Sequence, residues 1–259
     1  MDMIIAVSDV HLGFERSNSE CFMEFISQCA TVELEHFVIL GDLMDFWRAN
    51  NAEVMIKYQD ILGTIGRLKA KNVYYIPGNH DFFVHKLAAM YPDYYPFKVV
   101  NRLRLSDGGS VINFTHGYEL EVLANLEPLT IETYERLSER MCFTERITGG
   151  IASQLWEWIE NRNERREKAD YMRRPAHERA WDRVHELAVS RGAYVMLGMS
   201  PDDKLVYGHT HRAFITRDSR VANTGAWVSD LPEGLPQNTY VTVIDGRMEL
   251  KTFGKDRFP

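Results

Sequence analysis

Apolar residues fall into two alternating rhythms over the first 85 positions. Met3 to Val7, Phe37 to Leu40 and Val73 to Ile76 are short apolar runs and predict buried strands. Between them, Phe22, Phe25, Ile26 and Cys29 recur at helical spacing within Cys21 to Ala30. Ile61, Ile65 and Leu68 line one side of a second helix, Val54 to Leu68. Strand alternating with helix predicts a parallel sheet faced by helices, and such sheets gather ligands at the carboxyl ends of their strands. After Pro96 the pattern turns to strands. Val99 to Leu105 and Ser110 to Phe114 flank Asp107-Gly108-Gly109, a hairpin signal, and the second run leads into His116-Gly117. Tyr118 to about Gly198 reads as a long helical stretch. Short strands follow at Leu205 to Tyr207, Ala213 to Thr216, Arg220 to Asn223, Tyr240 to Ile244 and Met248 to Phe253, with Asp245-Gly246 as a tight turn. The expected outline is one α/β domain over 1–259: a βαβαβα half, a helical insertion over 118–198 and a β-rich half. Two sheets face to face with helices outside would satisfy both halves.

Composition narrows the partners. A chain of 259 residues with 45% hydrophobic and 26% charged positions is ordinary for a globular protein. No run is long enough for a membrane span, no secretory leader pattern opens the chain, and a cytoplasmic protein is the default expectation. Cys21, Cys29 and Cys142 form no C-x-x-C pair and read as buried thiols. The net charge of −7 counts against nucleic acid as a partner, because such affinity rests on Lys and Arg neutralising phosphates. The oligomeric state is left open.

Five short blocks carry the chemistry: Ser8-Asp9-Val10-His11, Gly41-Asp42-Leu43-Met44-Asp45, Gly78-Asn79-His80-Asp81, Thr115-His116-Gly117 and Gly208-His209-Thr210-His211. Each follows a predicted strand. Five of the nine histidines sit in these blocks, which makes ordinary surface or core histidines a poor account of the set. His36, His85, His177 and His185 lack such company and read as surface or core residues. Imidazoles, carboxylates and one amide suit two divalent cations side by side. Asp42 is the candidate bridge. Asp9 and His11, alternating on an extended segment, face one way and supply one cation. His209 and His211 repeat that spacing and could divide between the two, with Asn79 and His116 completing the second site. A water ionised between the cations would attack phosphorus in line. His80, next to a ligand, faces the substrate to protonate the leaving oxygen or bind the phosphoryl group, and Asp45 fixes its orientation. Asp81 is expected to cap a helix beginning at Phe82.

In their order and content the blocks resemble the calcineurin-like metallophosphoesterase superfamily. The resemblance spans residues 8–211 and implies a four-layer α/β/β/α sandwich. It also implies Asp9, His11, Asp42 and His211 around one metal and Asp42, Asn79, His116 and His209 around the other, with manganese favoured and iron or zinc as alternatives. A narrower likeness is to UDP-2,3-diacylglucosamine pyrophosphatases, through Ser8-Asp9-x-His11-Leu12-Gly13, Trp47, the insertion and Asn223-Thr224-Gly225-Ala226-Trp227. That group has Arg where this chain has His80 and Glu where it has Asp45. The resemblance implies a small phosphorylated substrate, of which a nucleotide-sugar or nucleotide-lipid is one form. A general phosphodiesterase or phosphomonoesterase is the alternative, ahead of a DNA nuclease and of a scaffold without activity.

The insertion offers two readings. Ile151, Leu155, Trp158 and Ile159, extended by Trp156, form a stripe that ordinarily packs on its own domain. The alternative is a lid, for which Leu120, Val122, Leu123 and Leu126 supply the apolar surface nearest His116. Between Glu160 and Arg183, eight Arg or Lys face six Asp or Glu, mostly a solvated helix surface. Arg165, Arg166, Arg173 and Arg174 are candidates to reach a second phosphate or a nucleotide.

Overall fold

A computed structural model describes residues 3–93, 96–126, 129–143 and 183–258. The elements in chain order are β1 (Met3–Val7), α1 (Ser19–Cys29), β2 (Leu34–Ile39), α2 (Asn51–Lys57), α3 (Gln59–Ile65), β3 (Ala70–Tyr75), α4 (Val84–Met90), β4 (Lys98–Val99), β5 (Leu103–Asp107), β6 (Ser110–Phe114), α5 (Tyr118–Asn125) and α6 (Ile131–Met141). After residues 144–182 come α7 (Arg183–Ala188), α8 (Arg191–Met196), β7 (Lys204–Tyr207), β8 (Phe214–Ile215), β9 (Val221–Asn223), β10 (Thr239–Ile244) and β11 (Arg247–Thr252). The stripe from Ile151 to Ile159, the arginines from Arg165 to Arg174 and His177 lie outside the described residues.

Two sheets form, in the orders β11-β10-β1-β2-β3-β4 and β5-β6-β7-β9-β8. β1, β2, β3 and β4 run parallel, as the strand–helix alternation predicts, and so do β6, β7 and β9. β1 is buried on both faces and divides its side chains between two cores. Ile5 and Val7 meet Phe22, Phe25 and Ile26 of α1, with Ile61 and Ile65 of α3. Ile4 and Ala6 point the other way, onto Ile112, Phe114 and Val206 of the second sheet. Leu205, Tyr207 and Val221 on the far side of that sheet pack against Leu120, Val184 and Ala193 from α5, α7 and α8. Helices, sheet, sheet and helices give the four-layer α/β/β/α sandwich. Leu120 is consumed in this packing and Val122 in a smaller cluster with Tyr118 and Tyr134, so both are buried in the domain's own packing.

Three expectations change in detail. The helix over Val54 to Leu68 is two, because Tyr58 leaves helical geometry (φ −109°, ψ 22°) and turns the chain between α2 and α3. The strand over Val99 to Leu105 is also two pieces: β4 pairs with β3 and β5 pairs with β6, so the chain changes sheet between them. The C-terminal strands β10 and β11 join the first sheet, where β10 lies antiparallel to β1. Both predicted hairpin turns are present, Gly108-Gly109 between β5 and β6 and Asp245-Gly246 between β10 and β11, each with two residues at positive φ. None of the helices among the described residues is long and apolar enough to cross a membrane.

Candidate metal centre

Asp9 and His11 follow β1, Asp42 follows β2, Asn79 and His80 follow β3, His116 follows β6, and His209 and His211 follow β7. All five blocks therefore leave the carboxyl ends of parallel strands. The pairing of β1 with β2 and β3, and of β6 with β7, sets the loops side by side. The predicted geometry of the two i, i+2 pairs needs correction. Asp9, His11, Asp42, His209 and His211 all adopt left-handed backbone, with φ from 50° to 67°. Tight turns and not an extended pleat turn these side chains inward. Such conformations are costly for residues with a Cβ and persist where surrounding contacts over-determine them. Here His11 N–H donates to the Asp42 carbonyl (2.8 Å), Leu12 N–H to Leu43 (2.8 Å), Asp9 N–H to Gly41 (3.1 Å) and Trp227 N–H to Asp9 (3.0 Å).

The side chains converge. His11 Nε2 lies 3.1 Å from His211 Nε2, and His211 Nε2 lies 3.3 Å from Asp9 Oδ1. On the other side His116 Nε2 lies 3.1 Å from Asn79 Oδ1, 3.2 Å from His209 Nδ1 and 3.5 Å from Asp42 Oδ2. Asp42 Oδ2 is also 3.8 Å from His11 Nε2, which puts its carboxylate between the two groups. These spacings match neighbouring ligands of one cation: bonds of about 2.0–2.2 Å separate adjacent donors by about 3.0–3.5 Å. Asp9 Oδ1 is buried and makes no hydrogen bond of normal geometry. A buried carboxylate oxygen left in that state is costly, and a cation would relieve it. The donor set thus fits a divalent cation, with Asp9, His11 and His211 forming one group that could hold it and Asp42, His116 and His209 another.

The far nitrogens are anchored. His116 Nδ1 donates to the Leu40 carbonyl at 2.5 Å, and His11 Nδ1 to Asp45 Oδ2 at 3.2 Å. Each bond leaves the opposite nitrogen as a lone-pair donor facing the cage. His80 Nδ1 donates to Asp45 Oδ1 at 3.0 Å, so Asp45 holds His11 as well as the predicted His80. Arg48 adds its backbone N–H (3.1 Å) and its guanidinium to the same carboxylate. Trp47 stacks on His80 with ring centroids 4.1 Å apart. His11, Asp42 and His80 also approach one another closely enough to share a cation.

Burial opposes ionisation of Asp42 and Asp45, yet the surrounding imidazoles outweigh it and hold both carboxyls well below the usual range. Asp9 is lowered in the same way, chiefly by His211. Burial alone would depress His116, but Asp42 beside it raises its pKa to about 10 in the metal-free protein.

Asp81 is not a helix cap. α4 starts at Val84 without a side-chain cap, and the buried Asp81 carboxylate accepts from Gly78 N–H (2.7 Å), Met44 N–H (3.3 Å) and the Tyr75 hydroxyl. Burial and the Asp42 charge push its pKa up to about 6. It holds the third block against the second. Gly78 passes so close to Asp42 that an added Cβ would collide with Oδ1. Asn223 donates to the Gly208 carbonyl (2.7 Å) and Ser8 bridges Asp9 and Thr224, so Asn223 braces the fifth block and Thr224 the first. Trp227 is fully buried against Phe22 and Phe25. Two groups escaped the sequence reading: Glu121, whose carboxylate meets His209 Nε2, and Arg48. Neither lies within a block, and only proximity in the fold reveals them. All three cysteines are free thiols; Cys29 and Cys142 are buried as expected, Cys21 is only half-buried, and Cys142 is pushed up to about 12 by burial.

These features define a candidate metal centre on a four-layer sandwich. The chain belongs to the calcineurin-like phosphoesterase family, whose model matches residues 3–213. Among curated proteins it is similar to UDP-2,3-diacylglucosamine hydrolases of Histophilus somni (33% identical over 81 residues) and Aliivibrio fischeri (30% over 86 residues). Those matches take in 30% and 32% of this chain and 34% and 35% of the relatives, so the chain spans about a third of their length. Among solved structures, a dimetal phosphatase from Danio rerio aligns over 98% of this chain and 99% of its own, at 13% identity and a TM-score of 0.47. An archaeal phosphodiesterase aligns over 96% and 98%, at 14% identity and a TM-score of 0.46.

Proposed function

We propose that this chain hydrolyses a phosphodiester or pyrophosphate bond of a small phosphorylated, nucleotide-linked substrate with two divalent cations, manganese first among them. The observation that carries the reading is the close approach of Asp9, His11 and His211 in one group and of Asp42, His116 and His209 in a second, with Asn79 Oδ1 3.1 Å from His116 Nε2 and Asp9 Oδ1 buried without a hydrogen bond. When bound, the cations supply Lewis acidity that ionises water near neutral pH and offsets charge on the phosphoryl oxygens. Asp42, with Oδ2 3.8 Å from His11 Nε2 and 3.5 Å from His116 Nε2, would help to hold both cations. His80, with Nδ1 on Asp45 and its ring flat against Trp47, has Nε2 free to hold a proton for the leaving oxygen. A cleft of about 220 Å³ opens beside His11 and His211 and is lined by Arg48, Arg212, Phe14 and Leu235. The Arg212 guanidinium beside the cage suits a second phosphoryl group, which favours a pyrophosphate, while that of Arg48 is held on Asp45. The free thiols agree with a cytoplasmic setting.

A general phosphodiesterase is the second reading. The His80–Asp45 pair favours it, since the nucleotide-lipid pyrophosphatases that the chain resembles carry Arg and Glu there. The test is turnover of bis-p-nitrophenyl phosphate with added manganese, followed by UDP-sugars, nucleoside diphosphates, cyclic nucleotides and single-stranded DNA. Turnover abolished by Asp42→Ala, with UDP-sugars preferred, supports the first reading. No turnover with manganese, iron or zinc overturns both.

A further inference from the structure

We infer that Glu121 is a positioning residue for the second cation site: its carboxylate fixes His209 so that Nδ1 faces Asp42 and His116. The inference rests on the two-cation reading above. A ring nitrogen binds a cation only when it carries no proton, so an acceptor on the opposite nitrogen selects the ligating tautomer. His116 has the Leu40 carbonyl for this purpose and His11 has Asp45. His209 has Glu121, whose Oε2 meets Nε2 while Nδ1 lies 3.2 Å from His116 Nε2.

The anchor arrives from an unexpected direction. The Leu40 carbonyl and Asp45 belong to the strand-end loops themselves, whereas Glu121 projects from α5, the first helix after His116. Gly117, at φ 119°, turns the chain into that helix. Glu119 then ties the start of α5 down, accepting from Thr115 Oγ1 (2.9 Å) and Gly117 N–H (3.3 Å). Leu120, between the two glutamates, is fully buried against Val184 and Tyr207. α5 is therefore seated on both sides of Glu121, and the carboxylate approaches His209 from a fixed position. In the first cation site, His11 is anchored on Asp45 instead. Seating of α5 thus bears on the affinity of the cation site that includes His209.

Manganese binding tests this directly, by calorimetric titration and by the EPR signature of a coupled manganese pair. Wild type should take up two Mn²⁺. Glu121→Ala should weaken one binding step by about 10- to 100-fold and leave the other unchanged. The coupled signal should then be absent at manganese levels that saturate wild type. Glu121→Gln, whose carbonyl oxygen still accepts from Nε2–H, should recover most of that affinity. Glu121→Met removes the acceptor at constant length and serves as a second removal variant should Ala disturb α5. Unchanged steps in both removal variants, equal weakening of both steps, or a Gln variant as weak as Ala overturns the inference. Fewer than two Mn²⁺ in wild type overturns the two-cation reading itself, a failure visible before any variant is made.

Discussion

Replacing Asp45 by asparagine keeps the shape of the side chain and removes half of its accepting capacity. The fully buried carboxylate serves four donors: Oδ1 takes His80 Nδ1 and the Arg48 N–H, and Oδ2 takes His11 Nδ1 and the Arg48 guanidinium. An amide has one oxygen. If it stays on the His80 side, the NH₂ faces His11 Nδ1, donor against donor. His11 must then move its proton to Nε2, the nitrogen that lies 3.1 Å from His211 Nε2 and faces the cage. A protonated Nε2 cannot ligate. Losing the orientation of one ligand costs about 10- to 100-fold in metal affinity or activity, and the upper figure corresponds to about 2.7 kcal/mol. Placing the oxygen on the His11 side spares that ligand and disorients His80 instead, which lowers kcat without changing metal affinity. Steady-state turnover of bis-p-nitrophenyl phosphate across a manganese titration separates the two. Asp45→Asn should fall by about 100-fold in kcat or in apparent Mn²⁺ affinity. An Asn variant within threefold of wild type in both would refute the account of Asp45 as the shared anchor.

The metal-free protein should lose stability at both ends of the pH scale. Asp9, Asp42 and Asp45 are held below their unfolded values, so their contribution is present above roughly pH 4 and lost as pH falls through the acid range. His116 is raised to about 10, so its contribution is full below roughly pH 6.5 and lost as pH rises through 10. Thermal melts in chelator across pH check this, and a flat profile would contradict the site electrostatics. Mn²⁺ binding near neutral pH must displace the His116 proton, so calorimetry in buffers of different ionisation enthalpy should register proton release. Gly78→Ala should displace the Asp42 carboxylate and lower Mn²⁺ affinity; two Mn²⁺ bound as in wild type would show that the crowding is absorbed elsewhere. Trp227→Ala should cost about 3–5 kcal/mol in denaturant unfolding through the cavity between Phe22 and Phe25, with KM unchanged. A small stability loss with a raised KM would instead place the indole near substrate.

The sheet strands and the candidate ligands were legible because both obey local rules. An apolar run followed by a Gly-Asp or Gly-Asn-His block reads the same way in any context, and five such blocks in order leave little freedom. What escaped depends on pairing at a distance. Nothing in Val99 to Leu105 marks where the chain changes sheet, because both pieces are apolar enough for either. Asp81 follows a motif and precedes a helix, which describes a cap as well as it describes a brace between loops. The left-handed turns at Asp9, His11 and Asp42 carry little local signal, since aspartate and histidine adopt that backbone only occasionally and tertiary hydrogen bonds select it here. Glu121 looked like one more acidic residue of an amphipathic helix until the fold brought His209 to it.

The antiparallel seam between β1 and β10 has a consequence for biosynthesis. The strand that leads into Asp9 cannot acquire its neighbour on that side until residue 244 has been made, since Met3 pairs with Ile244 and Ala6 with Val241. His209 and His211 emerge only shortly before. The ribosome thus makes every residue between these two strands before the seam can close, and capture of cations by the full donor set waits until His211 has followed Asp9 out by some two hundred residues.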